Sequence, residues 1–351
     1  MSDIGASPVF VCGHRKTGTT MLLNLFDSHP QICAFPPDSG FWYAWYPLFD
    51  DASKSDEEKK QRVIDTLFYN FKTDLEGLDC WDDSTMSYPW DKLNARFIER
   101  MDGKECTGGN LLDNAIQAYR DICQAECGWD TSNYVSWLEK TTSTEIYANA
   151  ADKWFPNAKY IHLLRDPRDN YGSLKSGWSA RYAGQNDSVE RLLQSMLDRG
   201  LLGMKYASVN QERFGKDKYK VIRYEDLCSK PEEVMADLCE FIGIKYDDIL
   251  MKPTYFGLPW KGNNFDGLKF DKPSAVNCGR WRERIDDYEA QIIEFHFREE
   301  MKHWGYDLEF SAVEAGDAAS EHYKWFNYAQ QFSVLEGANT YPQDNEEEKT
   351  D

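Results

Sequence analysis

Three groups of residues in this chain have types and spacings that could do chemistry. The first is CGHRKTGTTM, residues Cys12–Met21. Gly13 and Gly18 keep the G-x-x-x-x-G spacing of a phosphate-binding loop, but Thr19 and Thr20 follow where a Walker loop has its lysine and hydroxyl residue. The lysine stands inside the loop instead, at Lys16. In a Walker loop the lysine reaches the β and γ phosphates and the hydroxyl binds Mg²⁺. A lysine within the loop faces the first phosphate and whatever is bonded to it, and Thr17, Thr19 and Thr20 put hydroxyl donors around that same phosphate. No aspartate ends an apolar strand as a Walker B site would, which weighs against metal-dependent triphosphate chemistry. The second group is YIHLLRDPRDNYGSLKSG, where Arg165 follows an apolar run and Ser173 comes eight residues later. An arginine and a serine so placed can grip one phosphate from two sides, the guanidinium giving paired contacts; the competing use of Arg165 is an ion pair with Asp166 or Asp169. The third group is the pair of stretches WLEKTTSTE, with Lys140-Thr141-Thr142, and HPQICAFPPDSGFW, whose one carboxylate is Asp38.

These groups act together only if the backbone brings them together. Pro8–Cys12 is a short apolar run, and Leu22, Leu25 and Phe26 recur at helical spacing after the loop. Strand, glycine loop and helix is the order in which helix-start N–H groups face an anion. The helix should end near Ser28, before His29-Pro30. Further strands are predicted at Tyr134–Leu138, Tyr160–Leu164 and Tyr219–Arg223, separated by helical patterns that include Val189–Val209 and a helix opening at Pro231. A late helix begins at Asp286, with Glu289 at capping-box spacing, and runs towards Gly305. The fold class is therefore α/β: a central parallel sheet with a P-loop-like phosphate loop, flanked by helices and carrying helical insertions. One domain over residues 1–310 is expected, with an insertion at about 40–130 on the acceptor side. An appendage at 311–351 would end in the disordered acidic tail QDNEEEKTD.

In order along the chain, RKTGTT, RDPRDNYGS, VIRYEDLCSKPEEVMADLCEFIGI and KPSAVNCGRWRERI resemble the donor-binding segments of the sulfotransferases, which use 3′-phosphoadenosine 5′-phosphosulfate (PAPS). The resemblance spans roughly residues 8–305. It implies that Lys16, Thr17, Gly18, Thr19 and Thr20 bind the 5′ phosphosulfate, with Arg15 adjacent and Lys16 stabilising the departing phosphate oxygen. It implies that Arg165 and Ser173 bind the 3′ phosphate, that Tyr224 lies near the nucleotide, and that Arg280 closes over it, with Trp281 packing that segment. The cytosolic small-molecule branch carries K-T-H, whose histidine is the base; here Thr142 stands in its place, and a threonine hydroxyl does not accept a proton at neutral pH. Other branches use a glutamate shortly after the first helix, and the matching stretch here offers Asp38. Asp38, Lys16 and Lys140 are the catalytic candidates, Lys140 touching the sulfonate oxygens; the competing use of Asp38 is to cap a helix starting at Ser39 or Gly40. His14 and His29 are weaker candidates for the base.

Composition bounds the partners. With 40 basic and 60 acidic residues the net charge is −20, which argues against non-specific nucleic-acid binding. No apolar run reaches the roughly 18–20 residues of a membrane span, and MSDIGASPVFV lacks the regions of a signal peptide. Nine scattered cysteines without C-x-x-C suit free thiols in a reducing compartment, and no Cys/His cluster suggests a metal. The expectation is a cytoplasmic, metal-independent enzyme that transfers sulfonate from PAPS to a hydroxyl or amine of a small-molecule acceptor. The aromatic-rich segments 41–49 and 80–90 either line the acceptor pocket or pack the core. Two alternatives stay open: a P-loop nucleotide kinase, and a catalytically silent nucleotide-binding interaction protein.

Overall fold

The computed structural model describes residues 4–82, 84–182 and 189–325. The acidic tail expected to be disordered lies outside them. Five strands form one wholly parallel sheet: β1 (Val9–Cys12), β2 (Ile32–Ala34), β3 (Ser136–Lys140), β4 (Lys159–Leu164) and β5 (Tyr219–Arg223). Their order is β2-β3-β1-β4-β5. Val11 lies opposite Lys140 on one side of β1, and Cys12 lies opposite His162 on the other.

Strands covered on both faces bury every other residue to each side. Phe10 and Cys12 point into an aromatic cluster with Trp137, Tyr160 and Tyr219. Val9 and Val11 point the other way, among Leu22, Leu138, Ile161, Leu163 and Ile222. From β1 the chain leaves towards β2, and from β4 it leaves towards β5. A crevice therefore opens at the carboxyl ends of β1 and β4, the switch point where such sheets bind ligands.

The helix after β1, α1, runs Thr19–Phe26, two residues short of the expected end. Its N-cap, Gly18, has φ 101°, a left-handed conformation that glycine adopts without steric cost. Pro231 opens the helix Pro231–Ile242, as expected. The expected helix Val189–Val209 is Val189–Ser195 and Leu201–Phe214 with a π-turn, Met196–Gly200, between them. The insertion is helical, and its rings join the aromatic cluster on the Phe10 face of the sheet. Phe41 stacks on Trp45 with centroids 5.1 Å apart, and Phe71 packs against Tyr88, Trp90 and Tyr119. Most of the rings in 41–49 and 80–90 are thus core, with Tyr43 an exposed exception at 48%.

The chain divides into two compact units, Met1–Arg284 and Ile285–Asp351. That boundary lies ahead of the late helix rather than at 310. The late helix, Asp287–His303, packs on the helix Ala312–Trp325, and both belong to the second unit. Asp286 and Glu289 form the predicted capping box, and buried Glu294 accepts the N–H groups of Glu309 and Phe310.

Candidate active site

The loop between β1 and α1 is fixed from below. The Gly13 N–H donates to Glu145 Oε2 at 2.9 Å, and a Cβ at Gly13 would lie 2.6 Å from the Leu163 carbonyl oxygen. Thr17 Oγ1 donates to the His14 carbonyl at 2.6 Å. Lys16 has φ 66°, a left-handed conformation rare for a residue with a side chain. The ring of Tyr224 fills the space that a Gly18 side chain would need, 2.5 Å from its ideal Cβ. The loop, the start of α1 and the end of β5 are therefore locked to each other by shape.

Arg165 is not paired with a neighbouring acid. Asp166 is held by Arg168 at 2.6 Å, and the Asp169 carboxylate accepts the N–H groups of Gly279 and Trp281 at 2.5 and 2.7 Å. The Arg165 guanidinium lies 4.6 Å from the centre of the Tyr224 ring. It donates to the Lys16 carbonyl at 2.9 Å and the Asn277 carbonyl at 2.8 Å, and its Nε is buried without a partner. A buried, unsatisfied cationic donor is costly unless an acceptor comes to it.

One cleft, with about 880 Å³ of empty space including its open mouth, gathers these residues. Lys16, Gly18, Thr19, Thr20, Arg165, Ser173 and Tyr224 all line it. Its far wall is a strap, residues 260–284, contributing among others Trp260, Phe265 and Phe270. Phe265 lies flat beneath Lys16, whose Nζ is 3.9 Å from the ring centre and donates to the Asn263 carbonyl at 3.1 Å. Arg280 is not among the lining residues; it pairs with Asp266 at 2.8 Å and with Glu283. Arg284 lines the cleft instead and bonds the same Asp266. Arg15 also turns away, donating to Ser195 Oγ at 2.8 Å. Trp281 is buried under Arg168.

Beside the start of α1 lies the second cluster. Lys140, at the end of β3 and 3% exposed, donates to Asp38 Oδ2 at 2.6 Å and to Thr20 Oγ1 at 3.3 Å. Thr142 Oγ1 donates to the same carboxylate oxygen at 2.7 Å. Burial raises the Asp38 pKa, but the Lys140 charge and the Lys140 and Thr142 hydrogen bonds outweigh it and hold the carboxyl below its usual range. Asp38 is no effective helix cap: its contact to the Gly40 N–H is 3.4 Å, and the short π-helix Phe41–Trp45 starts from Gly40 with no side-chain cap. Tyr43 lies beside Asp38, and its partial burial and the charge of that carboxylate raise its phenol pKa. His29 is far from this chemistry in role: its Nδ1 accepts from Gln31 N–H and its Nε2 meets the Lys245 carbonyl. Burial pushes the buried His14 down to about 3, and its Nδ1 is bound to Asn170.

Two buried acids support the site and were not singled out in the sequence. Glu139, just before Lys140, accepts the hydroxyls of Ser39 and Thr141. Glu145 holds Gly13. Burial pushes both up to about 7. The signal for Glu139 was a charged residue in an apolar strand, which marks a buried polar contact without naming its partner; Glu145, in the short 3-10 helix Thr144–Tyr147, carried none.

Comparison with known proteins agrees with this geometry. Residues 8–248 match the family described as Sulfotransferase family. No curated protein matches the chain in sequence. The sulfotransferase domain from the curacin biosynthetic pathway has the same fold, with TM-score 0.52, 16% identity and coverage of 87% of this chain and 99% of that one. The sulfotransferase domain of the Synechococcus PCC 7002 olefin synthase superposes with TM-score 0.49 at 16% identity, covering 86% of this chain and 97% of its own. For sulfotransferase STF9 from Mycobacterium avium the values are 0.45, 17%, 87% and 79%. With the family match extending over more than half of its length, and a phosphate loop whose lysine lies inside it, the chain belongs to the sulfotransferase family and is a PAPS-dependent sulfotransferase.

Proposed function

We propose that the enzyme transfers the sulfonate of PAPS to a hydroxyl, or an amine, of a small-molecule acceptor, with the donor held in the cleft of Lys16, Arg165 and Tyr224. The observation that carries this reading is the shared lining: Lys16 and Arg165 face one cavity, and the Lys140–Asp38 pair is joined to it through Thr20. Lys16, Gly18, Thr19 and Thr20 hold the 5′ phosphosulfate at the start of α1, where backbone N–H groups favour an anion; Thr17, whose N–H and hydroxyl both go to the His14 carbonyl and which does not line the cleft, shapes the loop instead of binding as the resemblance implied. Arg165 and Ser173 hold the 3′ phosphate, and the rings of the strap suit a purine base.

In the transfer, the acceptor oxygen or nitrogen bonds to sulfur as the bond from sulfur to the phosphate oxygen breaks. Lys16 stabilises the charge left on that oxygen. Asp38 takes the acceptor proton. Its carboxylate is a weak base while Lys140 sits on it, but Lys140 also reaches Thr20. As negative charge grows on the donor side, the ammonium can follow it, which frees Asp38 to receive the proton. Positioning and fixed charge supply most of the rate. Tyr43, exposed beside Asp38, marks the side from which the acceptor enters.

The described residues contain no helix long and apolar enough to cross a membrane. All nine cysteines are unpaired, which supports action in a reducing compartment, the cytoplasm. The test is transfer of labelled sulfonate from PAPS across phenols, alcohols, amines and sugars. Labelling of small acceptors only in the presence of PAPS is the expected result; exchange of ATP–Mg²⁺ label would favour a kinase.

A further inference from the structure

Asp38 and Lys140 stand on segments far apart in sequence, and each segment is pinned one residue further along. Lys140 is the last residue of β3. Glu139, before it, lies opposite Phe10 and so points to the other face of the sheet, into the core. Its Oε1 accepts the hydroxyl of Ser39, the residue after Asp38. The same oxygen accepts the hydroxyl of Thr141, the residue after Lys140, at 2.6 Å. The two hydroxyl oxygens are themselves 2.8 Å apart. Ser39, Glu139 and Thr141 are all fully buried. The Ser39 N–H donates to the Lys140 carbonyl at 3.0 Å, and Ser39 Oγ accepts the Phe41 N–H at 3.1 Å. One carboxyl thus ties together the chain neighbours of Asp38 and of Lys140.

Counting protons sets the charge of that carboxyl. Three oxygens in mutual contact make three hydrogen bonds only if three protons lie among them, and the two hydroxyls supply two. A proton on Glu139 closes the ring, each oxygen donating once and accepting once. Glu139 Oε2 is buried with no partner, where a negative charge would be uncompensated. Burial pushes the carboxyl up to about 7 against its two hydrogen bonds; the Asp38 charge adds to the rise and the Lys140 charge opposes it.

We propose that Glu139 is a positioning residue: as a neutral acid it locks Ser39 to Thr141, and so holds the Asp38 carboxylate against Lys140, ready for the acceptor proton. The positioning half rests on the reading of Asp38 as the base; the neutral acid does not. Glu139→Gln keeps the shape and can place an amide N–H where the acid proton was. Glu139→Leu keeps the bulk and removes the tie, leaving Ser39 and Thr141 bonded only to each other.

Infrared difference spectra of the full chain, wild type minus Glu139→Gln, are taken about one pH unit below that shifted value. They should show the C=O stretch of a carboxylic acid; a carboxylate band in its place overturns the neutral acid. Transfer is followed with labelled PAPS and whichever phenol, alcohol, amine or sugar the wild-type chain labels best. Glu139→Leu should lower kcat about 10–100-fold, as displacing a catalytic group by about 1 Å does, with KM for PAPS within about twofold. Glu139→Gln should bring kcat back to within about threefold of wild type. A Glu139→Gln variant as slow as Glu139→Leu, or a loss shared equally between kcat and PAPS affinity, overturns the positioning role. If Glu139→Leu does not fold, Ser39→Ala cuts the same tie from its other end, and wild-type kcat there overturns the role as well. Asp38→Asn is measured alongside: if it still transfers, the base assignment falls and the positioning with it. A wild-type chain that labels no acceptor overturns the sulfonate-transfer reading, while the infrared band is still scored.

Discussion

Replacing Arg165 by alanine separates its proposed role from its structural one. The guanidinium is 6% exposed, carries an unpartnered Nε, and now spends its other donors on the carbonyls of Lys16 and Asn277. A hydrogen bond involving an ionised group contributes about 1.5–3 kcal/mol net, and a guanidinium can offer two to one phosphate. Part of that gain is offset, because the two carbonyls must share or lose their donors when phosphate arrives. About 3 kcal/mol should remain, which is roughly 100-fold in Kd. The assay is isothermal titration with two ligands, 3′,5′-diphosphoadenosine and adenosine 5′-phosphate. Arg165→Ala should weaken the first by that factor and the second by only about threefold, through loosening of the Lys16 loop. Equal weakening of both would mean that Arg165 props the loop and grips no 3′ phosphate. Because the comparison is made within one variant, partial unfolding lowers both affinities alike and cannot imitate the expected result.

The remaining predictions concern the chemistry and the fold beneath it. Lys16→Ala should lower kcat about 10²–10³-fold, as loss of one charge-stabilising donor does; near wild-type turnover under saturating donor would remove its role. Asp38→Asn should leave nucleotide affinity within about twofold but reduce transfer to background, and an active variant would require another base. Glu145 has its pKa raised from an ordinary 4.5 to about 7 by full burial, so the folded chain keeps a proton that the unfolded chain has lost. Stability should therefore fall as pH rises from about 4.5 to 7 and level off above, by about 3 kcal/mol for this residue. Glu145→Gln should flatten that part of a urea-midpoint profile, and a slope equal to the parent's would show that Glu145 ionises normally.

How much was legible in advance differs by element. β5 was read at its observed bounds, and β1, β4 and the Pro231 helix within a residue or so, because apolar runs and terminal signals are local. β3 lies two residues beyond the predicted Tyr134–Leu138, since Glu139 and Lys140 look like the end of an apolar run. They are strand residues whose charges are taken up by Thr141 next door and by Ser39 and Asp38, partners about a hundred residues away. β2 was not read at all: three residues between Pro30 and Pro36 carry too little pattern, and only pairing with β3 makes Ile32–Ala34 a strand. That the loop residues Lys16, Gly18, Thr19 and Thr20 and the pair Arg165 and Ser173 each stay together was legible because their spacing is fixed within one loop or a turn or two; that both sets line one cleft came from the fold. Arg280 and Arg284 show the opposite case. They are one helical turn apart on the sequence, and the three-dimensional path of the strap, with Asp266 between them, decides which one lines the cleft.

The left-handed Lys16 carries a further consequence. A side chain in that conformation costs roughly 1–2 kcal/mol relative to one that adopts it freely, and glycine would relieve it. In the proposed mechanism, placing an ammonium inside the loop thus sets catalysis and thermostability against each other at a single Cα. A search for sturdier variants of this enzyme would be drawn to position 16, and under the proposed mechanism each gain there would be a catalyst lost.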